Sequence, residues 1–418
     1  MLAIVNNLKK KISPAQLFMI STLIVNGGNY LYNLLVGRIL GPEKFADAAI
    51  LITILLVISF IAMTFQLVTA KFSIGLENSK LNNLIKYLNT RAVGLGIIIG
   101  IILICLSNQI QLMLNTSTNE MFIIFGISIP LYFLISINRG IYQGTDSFNN
   151  LSWTYQTEML SRLSITLILL WLLNIDHSII IALGILISLI FGLYPLNNKV
   201  LHVSLKNYSH QLPLKKIKIF IGLTAFYEFT QIIINNSDII LVKHFFNANE
   251  AGLYSSIALI GRLIYYITWM FVMLLLPTVV QLEKEGKKTS HILFKYVGYT
   301  IIIALSTVIG CMLFPKFIVG TLFGKAYLPF ASMLWKYAIA TSMFAVANIF
   351  VYYYLSLEKY LPVAISALFG FMQIILVSMF HNNIDQVIYM QIISMGGLLI
   401  SQITYYLIIL LKKSKNNI

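Results

Sequence analysis

The stretch ADAAILITILLVISFIAMTFQLVTA, residues 46–70, places a single ionisable side chain, Asp47, among twenty-five positions. As an α-helix it would be about 37 Å long, enough to cross a hydrocarbon core of roughly 30 Å. Working outward, apolar windows of comparable length recur along the whole chain. Twelve can be drawn, the first over residues 15–37 and the last over 386–411. The composition agrees: 58% of the residues are hydrophobic and 10% charged, against about 25% charged in an ordinary soluble domain. So few polar side chains cannot cover a 418-residue body in water, whereas lipid accepts apolar side chains over its whole outer surface. The expected fold class is an all-α polytopic membrane protein with twelve transmembrane helices in two six-helix lobes.

The net charge of +15 could suggest a nucleic-acid partner, but the cations lie almost entirely between the apolar windows. That is the pattern of membrane topology, so no nucleic acid is expected. With the N-terminus in the cytoplasm, twenty-one basic residues fall on the inner side. These include Lys9 to Lys11, Lys71 to Arg91, Arg139, Lys199 to Lys218, Lys284 to Lys295 and Lys412 to Lys415. Five fall outside, namely Arg38, Lys44, Lys243, Lys316 and Lys325. The asymmetry predicts both termini in the cytoplasm. The N-terminal apolar stretch has no cleavage pattern and should remain as the first span. Cys105 and Cys311 sit in separate apolar stretches, so neither a disulfide nor a metal site is expected.

Self-similarity at long period marks transporters built from repeated halves. Here Asn33 to Glu43, NLLVGRILGPE, is similar to Asp238 to Glu250, DIILVKHFFNANE, about 206 residues later. Six spans per half give equivalent helices the same direction, so the repeat axis should run along the membrane normal. The division expected is an N-terminal lobe over 1–197, a cytoplasmic linker over 198–218 and a C-terminal lobe over 219–418.

Three motifs carry a family resemblance. GRILGPEKF (Gly37 to Phe45), following Asn26, Gly27, Gly28 and Asn29, resembles the first hairpin of polysaccharide and O-antigen flippases. These belong to the multidrug/oligosaccharidyl-lipid/polysaccharide (MOP) exporter superfamily. NNSDIILVKHFFNANEAGLY (Asn235 to Tyr254) and LFGKAY (Leu322 to Tyr327) resemble that family's seventh-span motif and its loop between spans nine and ten. The resemblance implies a V-shaped pair of six-helix lobes around a central cavity, in a bacterial inner (plasma) membrane. It implies transport of an undecaprenyl-pyrophosphate-linked oligosaccharide, such as an O-antigen or capsular repeat unit, from inner to outer leaflet. The partners implied are this substrate, membrane lipids and other polysaccharide-assembly membrane proteins, with no cofactor.

An ion at the bilayer centre costs about 2.5–3.5 kcal/mol on insertion scales, so each should face protein or water. Six residues are candidates: Glu158, Arg162, Glu228, Asp238, Arg262 and Lys336. Arg162, Arg262 and Lys336 are candidates for substrate binding: guanidinium forks bind pyrophosphate oxygens bidentately, and a lysine ammonium adds positive charge. Glu158 lies one turn before Arg162 and can neutralise it instead. Arg262 has no local partner in sequence. Glu228, Glu158 and Asp238 are the candidates for ion coupling. A partly buried carboxylate such as Glu228 can exchange protons, or can equally serve as a static partner of Arg262. Asp238, beside Asn235 to Ser237, reads more readily as structural.

No phosphate loop, paired-histidine motif or long external loop is present in the sequence. The chain is therefore not expected to be an enzyme, and a membrane glycan polymerase is the weaker enzymatic alternative. The closer alternative is a multidrug or cation antiporter of the same superfamily, against which the basic residues Arg262 and Lys336 argue.

Overall fold

A computed structural model describes residues 14–74, 77–201 and 214–415. The basic stretch Lys9 to Lys11 and most of the predicted linker lie outside them. Every regular element among the described residues is helical. The helices are α1 (Pro14–Ser73), α2 (Asn78–Cys105), α3 (Ser107–Leu114), α4 (Glu120–Gly144), α5 (Phe148–Leu172), α6 (His177–Gly192) and α7 (Leu214–Phe245). They continue with α8 (Ala248–Gly261), α9 (Leu263–Lys284), α10 (Ser290–Leu313), α11 (Pro315–Leu322), α12 (Leu334–Ser356), α13 (Leu361–Met379) and α14 (Ile384–Lys415). A 3₁₀ segment, Lys325–Met333, leads into α12.

Nine helices among the described residues are long and apolar enough to cross a membrane. The chain is therefore a multi-pass membrane protein. Three features separate this number from the twelve windows of the sequence. The 60-residue α1 counts once but consists of two rods meeting at Gly41, where φ is 74° and the backbone leaves the helix before Pro42. Helix α5 carries Glu158 and Arg162 and does not qualify, and α6 is apolar but only 16 residues long.

The chain divides into two compact units. The first comprises Met1–Leu40 with Ile50–Phe229, and the second Gly41–Ala49 with Thr230–Ile418. The tip of the first hairpin thus belongs with the C-terminal half. In the first unit α4 lies against α2 and α6, with Phe122, Phe125 and Phe133 fully buried. In the second, α12 is buried along most of its length and packs against α9, α10 and α14. Each unit is thus organised around one central long helix, α4 in the first and α12 in the second. Apolar side chains elsewhere point outward, including Ile97, Ile98, Ile101 and Ile102 along α2. That arrangement is stable where lipid replaces water.

Candidate functional site

Two buried ionic clusters, one per unit, and a third buried ion pair account for most of the charge inside the protein.

In the first unit Glu158 holds two arginines. Arg162, one helical turn further along α5, meets its Oε1, and Arg139 Nη2 on α4 donates to Oε2 at 2.6 Å. Arg139 also donates from Nε to Thr154 Oγ1 at 3.1 Å and from Nη2 to the Thr154 carbonyl at 2.9 Å. Its guanidinium lies 3.8 Å from the centre of the Tyr155 ring. Tyr155 in turn meets Gln66, whose Nε2 donates to Tyr155 Oη and to Gln143 Oε1, both at 3.0 Å. Arg162 Nε donates to Ser188 Oγ on α6 at 3.3 Å. The predicted pairing of Glu158 with Arg162 is present. Arg139 is a correction: expected in a cytoplasmic loop, it is 4% exposed inside α4. The helix runs on to Gly144, so the stretch from Arg139 to Gly144, expected beyond the end of the span, is still helix and mostly buried. Two cations against one carboxylate leave this cluster with one surplus positive charge.

The second unit balances its charges. Arg262 stands at the break between α8 and α9, a position from which its side chain reaches α7. Its Nη2 donates to Asp238 Oδ1 at 2.7 Å, and its Nε to Tyr337 Oη at 3.2 Å. Asp238 Oδ2 accepts from the hydroxyls of Tyr254 at 2.9 Å and Tyr337 at 2.8 Å. Gln391 Nε2 on α14 donates to Tyr254 Oη at 2.5 Å. A cavity of about 20 Å³, room for about one water molecule, adjoins Asp238, Arg262, Tyr337, Thr341, Gln373 and Gln391. Arg262 therefore does have a partner, and it is Asp238, 24 positions earlier in the chain. The carboxylate that neutralises it is not that of Glu228. Among the described residues Glu228, half-buried on α7, has no ion pair or hydrogen bond. Lys336 pairs with Asp385 at 2.8 Å and lies 4.9 Å from the centre of the Tyr389 ring, in a partly exposed position.

The three sequence motifs converge in the second unit. Pro42 packs so closely on Gly252 that a Cβ there would sit 1.8 Å from the Pro42 carbonyl oxygen; only glycine fits. The fully buried Phe45 ring stands 5.8 Å from Phe323 and 6.2 Å from Tyr327. Asp47 Oδ1 meets Lys243 Nζ at 2.7 Å, and the lysine side chain is 1% exposed. Lys243 was expected among the external cations, and Asp47 was not among the buried candidates. Both lie at span ends, where the sequence cannot distinguish solvent from protein. The signal that could have found them is the motif pair itself, since Lys243 lies inside one of the two similar stretches and Asp47 lies four residues past the other. Asn247 caps α8 by accepting from the Glu250 amide at 2.9 Å, which fixes the start of that helix against the hairpin tip.

A family model described as polysaccharide biosynthesis protein matches residues 35–332. An inward-facing multidrug resistance MATE family transporter of the MOP superfamily is similar at a TM-score of 0.76 and 13% identity, over 90% of this chain and 93% of that one. The lipid II flippase MurJ in an inward closed conformation gives 0.74 at 15% identity, over 93% and 87%. A MOP superfamily transporter from Pyrococcus furiosus, described as having a binding pocket of reverse polarity, gives 0.63 at 15% identity, over 94% and 92%. At such identities the likeness is one of fold. No curated protein matches the chain in sequence. The matched region holds all three converging motifs, the whole of the first unit's ionic cluster, and Asp238 and Arg262 of the second. This chain belongs to the polysaccharide biosynthesis protein family and has the fold of MOP superfamily transporters.

Proposed function

We propose that the protein moves an undecaprenyl-pyrophosphate-linked oligosaccharide from the inner to the outer leaflet of a bacterial plasma membrane by alternating access. The family match to polysaccharide biosynthesis and the fold shared with a lipid II flippase support this reading. The observation that carries the choice of an anionic substrate is the surplus positive charge of Arg139 and Arg162 on the single carboxylate of Glu158. A buried cation without its own counter-ion is costly, and a pyrophosphate supplies the missing negative charge in the bidentate geometry a guanidinium prefers.

In this reading twelve crossings, both termini in the cytoplasm and two lobes of six helices form the transport body. Arg162, of which only one edge is engaged by Glu158 and Ser188, makes the headgroup contact, with Arg139 behind it. Arg262 and Asp238 form a static bolt, because both carboxylate oxygens of Asp238 are already taken. Lys336 contributes to the partly exposed rim, and Glu228 is the group that couples transport to an ion gradient. The polyprenyl tail stays in the bilayer while the sugars occupy a wet interior.

The test is leaflet exchange of a fluorescent undecaprenyl-pyrophosphate glycan in proteoliposomes, with a cationic drug as control cargo. Glycan exchange that falls in Arg162→Gln supports the reading. Drug movement without glycan exchange establishes the antiporter instead.

A further inference from the structure

We propose that the short helices α3 and α11 lie in the headgroup boundary of the bilayer, each on the side opposite the last cation of the helix before it, Arg91 for α2 and Lys295 for α10. There they act as a matched pair of lipid-anchoring elements, one in each unit. The inference rests on the multi-pass architecture and is independent of the substrate.

The two helices occupy equivalent places in the repeat. Helix α2 is interrupted at Leu106, with φ −94° and ψ 8°, and continues as the eight residues of α3. Helix α10 is interrupted at Phe314, with φ −125° and ψ 41°, and continues as the eight residues of α11. Ser107 and Pro315, which start them, are separated by nearly the same spacing as the two similar motifs.

Depth follows from helix rise. From Arg91 to Leu106, and from Lys295 to Phe314, an α-helix advances about 23 and about 29 Å at roughly 1.5 Å per residue. The hydrocarbon core is about 30 Å thick. Each interruption therefore falls near the far edge of the core when the cation marks the near edge, and the short helix that follows sits at the boundary.

The exposed surfaces have the mixture that such a boundary accepts. On α3, Leu112 is 78% exposed and Met113 is exposed beside Asn108 and Gln109. On α11, Phe317 is 71% exposed beside exposed Lys316 and Thr321. Large apolar side chains next to amides and a lysine fit neither bulk water nor the bilayer centre; they fit the interface, where ring and alkyl groups reach inward and polar groups outward. These surfaces continue the outward apolar faces of the preceding spans: Ile98, Ile101 and Ile102 lead to Leu106, and Ile302, Leu305 and Ile309 lead to Phe314. The opposite faces are held by protein, through buried Ser107 and Leu114 on α3 and buried Val319 on α11. The chain leaving α3 is tied down as well, since Ser117 Oγ donates to Asp176 Oδ1 at 3.1 Å, on the residue that caps α6. Trp171, highly exposed at the end of α5 and five residues from Asp176, supplies an amphipathic ring of the kind that marks a membrane interface.

The test is site-directed spin labelling of the full-length protein in proteoliposomes. In a Cys105→Ser, Cys311→Ala background, single labels are placed by Leu112→Cys, Met113→Cys and Phe317→Cys. Ile101→Cys serves as the hydrocarbon reference and Glu120→Cys as the aqueous one. Collision rates with oxygen and with a water-soluble nickel chelate give depth. The expected oxygen-to-nickel ratio at 112, 113 and 317 lies several-fold above that at 120 and below that at 101. A ratio equal to that at 120 overturns the proposal, because the helices are then in water. Labels inaccessible to both collision partners overturn it equally, because protein, such as a second copy of this chain, then covers the surface. All substituted lipid-facing positions are exposed, and monodisperse elution of each variant separates misfolding from displacement.

Discussion

The ionic clusters of the two units use the same chemistry to opposite effect. In the C-terminal unit Arg262 meets one carboxylate, Asp238, whose second oxygen accepts from two tyrosines, and Gln391 donates to one of these. In the N-terminal unit one carboxylate serves two arginines. A charge-balanced cluster in a low-dielectric interior has little to gain from an ionic ligand, whereas one with surplus positive charge gains by accepting an anion. The difference teaches that a buried arginine in a transporter is informative only together with its counter-ions.

The comparison can be broken most directly at Arg262. Its replacement in Arg262→Ala leaves Asp238 buried without its cation, and loss of one partner from a buried pair costs about 3–5 kcal/mol. The expected outcome is a large fall in melting temperature in detergent, partly recovered in the double variant Asp238→Asn, Arg262→Gln. If the single variant melts like wild type, the cluster is not a bolt.

The Asp47 and Lys243 pair should follow closely. Lys243→Met is expected to cost about 3 kcal/mol by the same argument, with the loss reduced in Asp47→Asn, Lys243→Met. Equal stability of all three variants, measured by the same melting assay, would detach the hairpin tip from its assigned role in the second unit.

Arg162→Gln sharpens the comparison. It leaves Arg139 and Glu158 as a balanced pair, so melting should shift little while glycan exchange falls by about tenfold, the loss of one charge-assisted contact worth roughly 1.5 kcal/mol. A large stability loss with unchanged exchange would make the two clusters alike. Glu228→Gln should keep stability and abolish the stimulation of exchange by an imposed pH gradient, measured in the same vesicles; retained stimulation removes Glu228 from coupling. The smallest effect belongs to Lys336→Ala. Its pair with Asp385 is partly exposed, so a stability change of about 1 kcal/mol or less is expected.

Some of this was legible in one dimension. Glu158 and Arg162 lie four positions apart, and helix periodicity alone puts them on one face. Asp238 beside Asn235 and Asn236 could be read as structural from its place in a repeated motif. Arg139 could not be placed, because a polar stretch such as SINRGIYQG looks like a loop wherever a hydropathy window ends. The helix there continues into contact with α5 and α6, which only neighbouring helices reveal. The same holds for Asp47 and Lys243, one near the start of a span and the other near the end of one. The nearest sequence neighbours of Arg262 offer no acid, and its partner sits on another helix.

By itself the sequence determined that this chain lives in a membrane and that its spans are helical. Those properties depend on the local average of side-chain transfer energies and on the hydrogen-bonding demands of a backbone in lipid, and both are summed along the chain. Tertiary structure alone decided which charges are paired between helices, and that the tip of the first hairpin belongs to the second unit. Ion pairing depends on distances of a few ångströms between helices far apart in sequence. No local average contains them.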